Sequence, residues 1–151
     1  MNTLEKWLAE ENTVWSAKNN HADLPTDCPT RERHGWSGNA QIFCPTASYL
    51  FDYLPFAEKY LNDLYDWQTK SGCLPQIAPE GGTDFYMRAM NGSVGWAYAG
   101  VLMPYVLWKR YGDTDVLKKV PPQHAVLRKI HAEALRQMVP HRQTHRPARR
   151  G

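Results

Sequence analysis

The sequence predicts an all-α fold, layered helices with long functional loops at one end. Three observations predict it. Apolar residues recur at three- and four-residue spacing over several stretches. No stretch of useful length alternates as a strand does. One stretch, Val94–Arg110, is apolar almost all round, and such a helix must be buried on all sides.

From about Thr3 to Asn19, Leu4, Trp7, Leu8, Val14 and Trp15 approximate a helical stripe, interrupted at Glu10–Asn12. His21–Gly38 is irregular, because Pro25, Pro29, Gly35 and Gly38 break helix and strand alike. Ser37 or Asn39 is placed to cap the next helix. Ile42, Phe43, Thr46, Tyr49, Leu50 and Tyr53 predict that helix, with one broad buried face, and Pro45 is expected in its first turn. Pro55 ends or bends it. Phe56, Tyr60, Leu61, Leu64 and Trp67 form a second stripe, with Glu58, Lys59, Asp63 and Asp66 opposite, and Ser71–Gly72 stop it. Cys73–Gly95 is a long loop, a class usually functional or disordered. Its Phe85, Tyr86, Met87 and Met90 argue for order. Gly112 ends the buried helix, and Asp113 or Thr114 can cap one more short turn.

The 151-residue chain carries a net charge of +3, which is a misleading average. Residues 1–117 hold 9 Lys/Arg against 14 Asp/Glu, and residues 118–151 hold 9 Lys/Arg against Glu133 alone. All 18 aromatic residues lie in the first 117. The break near Lys118 predicts an acidic, aromatic-rich body over 1–117 and a basic tail over 118–151. The tail is weakly helical over Gln123–Met138 and without apolar periodicity over His141–Gly151. A basic tail suits nucleic acid, but one without aromatic residues to stack on bases is a poor single-strand binder, so no nucleic-acid partner is expected. No apolar run approaches the ~20 residues of a membrane span, and the acidic amphipathic N-terminus lacks a secretory apolar region. Cys28, Cys44 and Cys73 are too few and scattered for a disulfide framework, which fits a reduced, cytoplasmic protein.

The densest candidate site runs from Asp27 to Asn39. It offers the carboxylates Asp27 and Glu32, the arginines Arg31 and Arg33, and the indole of Trp36. A general acid must be protonated near neutral pH. Asp27 would raise the pKa of Glu32, whereas Arg31 and Arg33 would lower it, and spacing leaves the balance open. The alternative is an exposed ion-pair cluster. Trp36 and Trp96 each sit beside glycine at a loop–helix junction, as walls for a sugar ring or as core residues. Glu80 and Asp84 flank Gly81–Gly82 and are otherwise solvated loop acids. Cys28 and His34 would make a nucleophile pair, but no third group orients them, and packing thiols are the plainer reading. The cysteine spacing suits no zinc site. Gly92, Gly95 and Gly100 form no phosphate loop, so neither metal nor cofactor is expected.

The run DLPTDCPTRERHGWSGNAQIFCPTASYLFD closely resembles the catalytic loop of bacterial α-L-rhamnosidases, glycoside hydrolase family 78. ENTVWSAKNN, EKYLNDLYDWQ, GCLPQIAPEGG and GSVGWAYAGVLMPYVLWKRYGDT resemble the same family, over about residues 10–117. The resemblance implies an (α/α)6 barrel of six helical hairpins and inverting hydrolysis of terminal α-L-rhamnose, with rhamnose-containing glycosides as substrates. In that chemistry one carboxylic acid protonates the leaving oxygen, and a carboxylate about 6.5–9.5 Å away activates water. By position in the motif Glu32 would be the general acid. Asp27 and Arg31 would bind sugar hydroxyls, Trp36 would wall the subsite, and Trp96 would be a second wall.

The departures set further expectations. The family motif ends in Gly-Asp, but Gly38 is followed here by Asn39, and Tyr98 stands where many relatives carry an acid. The family's general base lies beyond the resemblance, so no residue is assigned to it. A hairpin takes roughly 35–50 residues and six need about 200–300, so the body is expected to supply two or three, as a truncated piece inactive alone. The flank of Val94–Arg110 would then be exposed and favour self-association. Two alternatives accompany this reading, a non-catalytic rhamnose-binding relative and a basic-tailed nucleic-acid binder.

Overall fold

A computed structural model describes residues 3–82 and 85–121. Asp84, the stretch Gln123–Met138 and the segment His141–Gly151 lie outside the described residues. The order is α1 (Thr3–Asn19), α2 (Ser37–Leu50), α3 (Leu54–Asp66), α4 (Phe85–Ala89), α5 (Ala99–Tyr111) and α6 (Asp115–Lys118). Among the described residues the only extended pairing is one antiparallel bridge, Trp36 with Ile77. None of these helices is long and apolar enough to cross a membrane.

The core lies between α2, α3 and α5. Its α2 side is made of small residues, Ala40, Cys44, Ala47 and Ser48. That differs from the expected face. Ile42 is 78% exposed and Tyr49 74%, with Leu50 and Thr46 exposed beside them. Small residues let the α2 backbone approach α5, which a row of large side chains would hold off. Within that outward row the Arg110 guanidinium lies over the Tyr49 ring, 4.2 Å from its centroid. Pro45 sits inside α2 rather than in its first turn. Its missing N–H costs one helical hydrogen bond; Ser48 Oγ separately donates to the Pro45 carbonyl at 2.7 Å. Neither Ser37 nor Asn39 caps α2. Trp36 occupies that position without a side-chain capping bond, while Ser37 Oγ donates to the Pro75 carbonyl at 3.2 Å and Asn39 turns to Asp27.

Pro55 falls at the start of α3, where its fixed φ is already helical. The inward stripe of α3 is Ala57, Tyr60, Leu61 and Leu64, with Phe56 partly buried against the core. Trp67 is 43% exposed, and the helix ends there, before Ser71–Gly72. α5 begins at Ala99, five residues later than its apolar run, and buries Met103, Pro104, Leu107 and Trp108. Burying one such aliphatic side chain contributes roughly 1.5–3 kcal/mol. The helix is not buried on all sides, since Leu102 and Tyr105 stay exposed. Arg110 Nε donates to the Ser48 carbonyl at 3.0 Å, and the Tyr53 N–H donates to Tyr111 Oη at 3.1 Å. Gly112 closes α5 at φ 72°, a left-handed conformation that glycine adopts without steric cost. Asp113 accepts from the Asp115 N–H at 2.7 Å and so starts α6.

α1 has the expected range but not the implied burial. Leu4, Trp7, Leu8 and Trp15 are all exposed, and only Ala17 is buried. Its attachment runs through His21, whose ring packs among Phe43, Tyr53 and Phe56. The 73–95 loop is ordered by other residues than expected. Leu74, Pro75, Gln76, Ile77 and Ala78 are buried, whereas Phe85 and Met90 are exposed. Leu74 fills the space beside Gly100, where a Cβ would overlap its side chain.

Candidate active site

The buried strip 74–78 holds the candidate loop in place. The Ser37 N–H donates to the Gln76 carbonyl at 2.8 Å, and the Ala78 N–H to the Gly35 carbonyl at 3.0 Å. Tyr60 Oη also donates to the Gly35 carbonyl, at 3.0 Å. The segment before it folds back on itself. Asp27 N–H donates to the His34 carbonyl and Arg33 N–H to the Cys28 carbonyl, at 3.4 and 3.1 Å. The turn places Arg33 at φ 54°, an uncommon conformation for a residue with a Cβ. Arg33 Nε spans the turn to the Pro29 carbonyl at 2.9 Å.

One chain of polar contacts crosses this loop. Asn39 Nδ2 donates to Asp27 Oδ1 at 2.8 Å, and the Cys28 thiol donates to Asp27 Oδ2 at 3.5 Å. Arg31 Nη2 donates to Cys28 Sγ at 3.4 Å, and Arg31 Nε to Glu32 Oε2 at 2.6 Å. Trp36 Nε1 donates to Glu32 Oε1 at 3.3 Å. Asp27, Arg31, Glu32, Trp36 and Asn39 therefore form one connected cluster. Trp96 joins it from the second loop. A Cβ on Gly38 would lie 3.0 Å from its indole nitrogen, so the ring rests directly over that glycine. Gln41 Nε2 donates to the Gly95 carbonyl and ties the two loops together.

The electrostatic balance left open by spacing is decided by Arg31. Its guanidinium, with the Trp36 indole and the residue's own backbone N–H assisting, holds the Glu32 carboxyl down to about 2. Both Glu32 oxygens accept hydrogen bonds, which favours the ionised form. Desolvation, with the Glu32 and Asp27 carboxylates close by, pushes the Cys28 thiol up. Cys28 is thus a thiol at neutral pH, bonded to Asp27 and Arg31 rather than to His34. Cys44 does match the packing reading, being buried in the core with its pKa pushed up to about 12 by desolvation.

Asp27, Cys28 and Glu32 offer ligand atoms within 4.8 Å of one another. A cation there would have to displace Arg31, which already donates to two of the three. Glu80 pairs with Arg88. Three contributors escaped the sequence reading: Cys28 as a link between Asp27 and Arg31, Gly38 as the seat of Trp96, and Gln41 as the tether. The glycine next to Ser37 in the motif was the one available signal.

Comparison with known proteins gives the cluster a context. Residues 4–138 match the family model described as the bacterial α-L-rhamnosidase six-hairpin glycosidase domain. The chain is 40% identical over 128 residues to an α-L-rhamnosidase of Streptomyces avermitilis, covering 82% of this chain and 12% of that protein. It is 36% identical over 114 residues to an α-L-rhamnosidase of Alteromonas sp. strain LOR, covering 74% and 12%. Among solved structures it superposes with a TM-score of 0.64 on the Streptomyces avermitilis enzyme complexed with L-rhamnose, at 35% identity, over 79% of this chain and 12% of that one. The native Aspergillus terreus α-L-rhamnosidase gives 0.61 at 33% identity, over 72% and 12%. The chain thus spans about an eighth of the length of the relatives it matches, and its helices form part of an α/α barrel. The chain belongs to the bacterial α-L-rhamnosidase six-hairpin glycosidase family.

Proposed function

We propose that this chain carries the acid-bearing half of an α-L-rhamnosidase site, for terminal α-L-rhamnose in rhamnose-containing glycosides. The observation that carries the reading is the convergence of Asp27, Arg31, Glu32, Trp36 and Asn39 in one hydrogen-bonded cluster, with Trp96 seated over Gly38. Glu32 is the general acid. Asp27, Arg31 and Asn39 bind sugar hydroxyls, and the two indoles wall the ring.

General-acid work needs a protonated Glu32, and the Arg31 pair opposes it. Arg31 is 77% exposed, so a sugar hydroxyl can draw it off the carboxylate. Inverting hydrolysis also needs a second carboxylate about 6.5–9.5 Å from the acid, and no residue of this chain is assigned to that role. The isolated chain should bind L-rhamnose and leave an aryl α-L-rhamnoside intact. Robust turnover that disappears in Glu32→Gln would refute the claim of a missing base, and no calorimetric response at millimolar rhamnose would refute binding.

A non-catalytic rhamnose binder is the second reading. It is favoured by Asn39, which offers Asp27 a neutral donor where the family motif has an acid. The exposed Trp7 and Trp15 of α1 and Leu102 and Tyr105 of α5 further support self-association of the chain. Sedimentation velocity should show mass growing with concentration in the micromolar range, and a monomer throughout would exclude it.

A further inference from the structure

Between α1 and α2 lies an open cleft of about 550 Å³, within the range of ligand pockets. Asp27 and Asn39 are among its lining residues, so it adjoins the cluster around Glu32. Its α1 wall carries Asn12 and Ser16, spaced four apart and therefore on one helical face, with Asn20 just past the helix end. Asn20 is already engaged, donating to the Ser16 carbonyl and accepting from Thr26. The side chains of Asn12 and Ser16 make no hydrogen bond among the described residues. The opposite wall is apolar, formed by Phe43 and by the outward-facing Ile42 of α2.

We propose that this cleft is a second carbohydrate subsite, holding the neutral sugar to which the terminal rhamnose is attached. The inference rests on the rhamnosidase reading of the adjoining cluster. The chemistry of the walls selects the ligand class. A pyranose has hydroxyls around its edge and an apolar C–H face. Neutral amide and hydroxyl groups on one wall suit the edge, and the Ile42–Phe43 wall suits the face. Among the described residues no lysine or arginine lines the cleft, and burial lowers the pKa of His21, so none of them pairs with an acidic sugar. Among the described residues Asp27 is the one carboxylate of the lining, and it would repel an acidic sugar.

The test is a calorimetric titration of the full chain with L-rhamnose, with an α-L-rhamnosyl-D-glucose disaccharide and with phenyl α-L-rhamnoside. The disaccharide should bind about tenfold more tightly than rhamnose, a gain of about 1.4 kcal/mol. The double variant Asn12→Ala/Ser16→Ala should abolish that advantage and leave rhamnose binding unchanged. Alanine is the best helix former, so α1 persists. Ile42→Ser, on the opposite wall, should reduce the advantage independently. A disaccharide that binds no better than rhamnose, or whose advantage survives both variants, overturns the subsite while the rhamnosidase reading stands. A phenyl glycoside that equals the disaccharide overturns the carbohydrate class. If none of the three binds, the rhamnosidase reading is overturned and the subsite with it.

Discussion

An Arg31→Gln variant is expected to move the Glu32 midpoint up from about 2 toward its ordinary value of 4.5. The cause is the 2.6 Å bond from Arg31 Nε to Glu32 Oε2, the largest influence on that carboxyl. Glutamine keeps a donor amide but removes the charge, and a charge-assisted bond is roughly twice as strong as a neutral one. Carboxyl-carbon NMR of labelled glutamate would follow the titration directly. A Trp36→Phe variant should move the midpoint the same way by less, since the indole bond is longer at 3.3 Å. A midpoint that stays near 2 in Arg31→Gln would show that Arg31 does not set it.

The same shift has a stability consequence with a definite sign. A carboxyl whose pKa is depressed in the folded state contributes stability above its unfolded pKa. For Glu32 that contribution is complete above about 4.5 and is lost as the pH falls toward 2. The parent chain should therefore lose stability over that window, and Arg31→Gln should lose less there. Addition of L-rhamnose to the parent should raise the Glu32 midpoint if hydroxyls take over Arg31. That rise is what a general acid requires, because a carboxyl at about 2 holds almost no proton at neutral pH.

The helix positions were legible because three- and four-residue spacing survives in most of them. The inward side of α2 was not. Periodicity weighs large residues: of its stripe Phe43 and Tyr53 pack on the core, but Ile42, Thr46, Tyr49 and Leu50 face outward, while Ala40, Cys44 and Ala47 make the helix contact. A tightly packed pair of helices hides its interface in small residues. The same limit affected the 73–95 loop, where Leu74 and Ile77 fill the core from non-helical backbone. At the site, Asp27, Arg31, Glu32, Trp36 and Asn39 were legible because they share one short stretch. Trp96 was named from its glycine neighbour, but its seat on Gly38 depends on two loops meeting. Which charge governs Glu32 depended on side-chain rotamers, which no spacing encodes.

Gly35→Ala should cost about 2–3 kcal/mol of stability, the upper range for overpacking in a filled site, and should dismantle the cluster. A Cβ there would overlap the Ala78 carbonyl oxygen and stand 3.0 Å from Leu24 Cδ1 and 3.4 Å from the Tyr60 ring. The obstruction is backbone, which cannot rotate away as a side-chain tip can. Relief requires the 35–37 segment to separate from 76–78. That breaks the Gly35–Ala78 and Ser37–Gln76 backbone bonds and the Tyr60 bond to Gly35. Trp36 would then lose the bridge to Ile77 that aims its indole at Glu32. Gly81→Ala is the internal control, since its Cβ would meet only the His34 ring at 3.8 Å, an ordinary contact. Urea unfolding should separate the two variants by about 2 kcal/mol. The Glu32 midpoint should rise in Gly35→Ala and stay near 2 in Gly81→Ala. Equal stability in both variants would mean that the 35–37 and 76–78 segments do not support each other, and the positioning of Trp36 would need another cause.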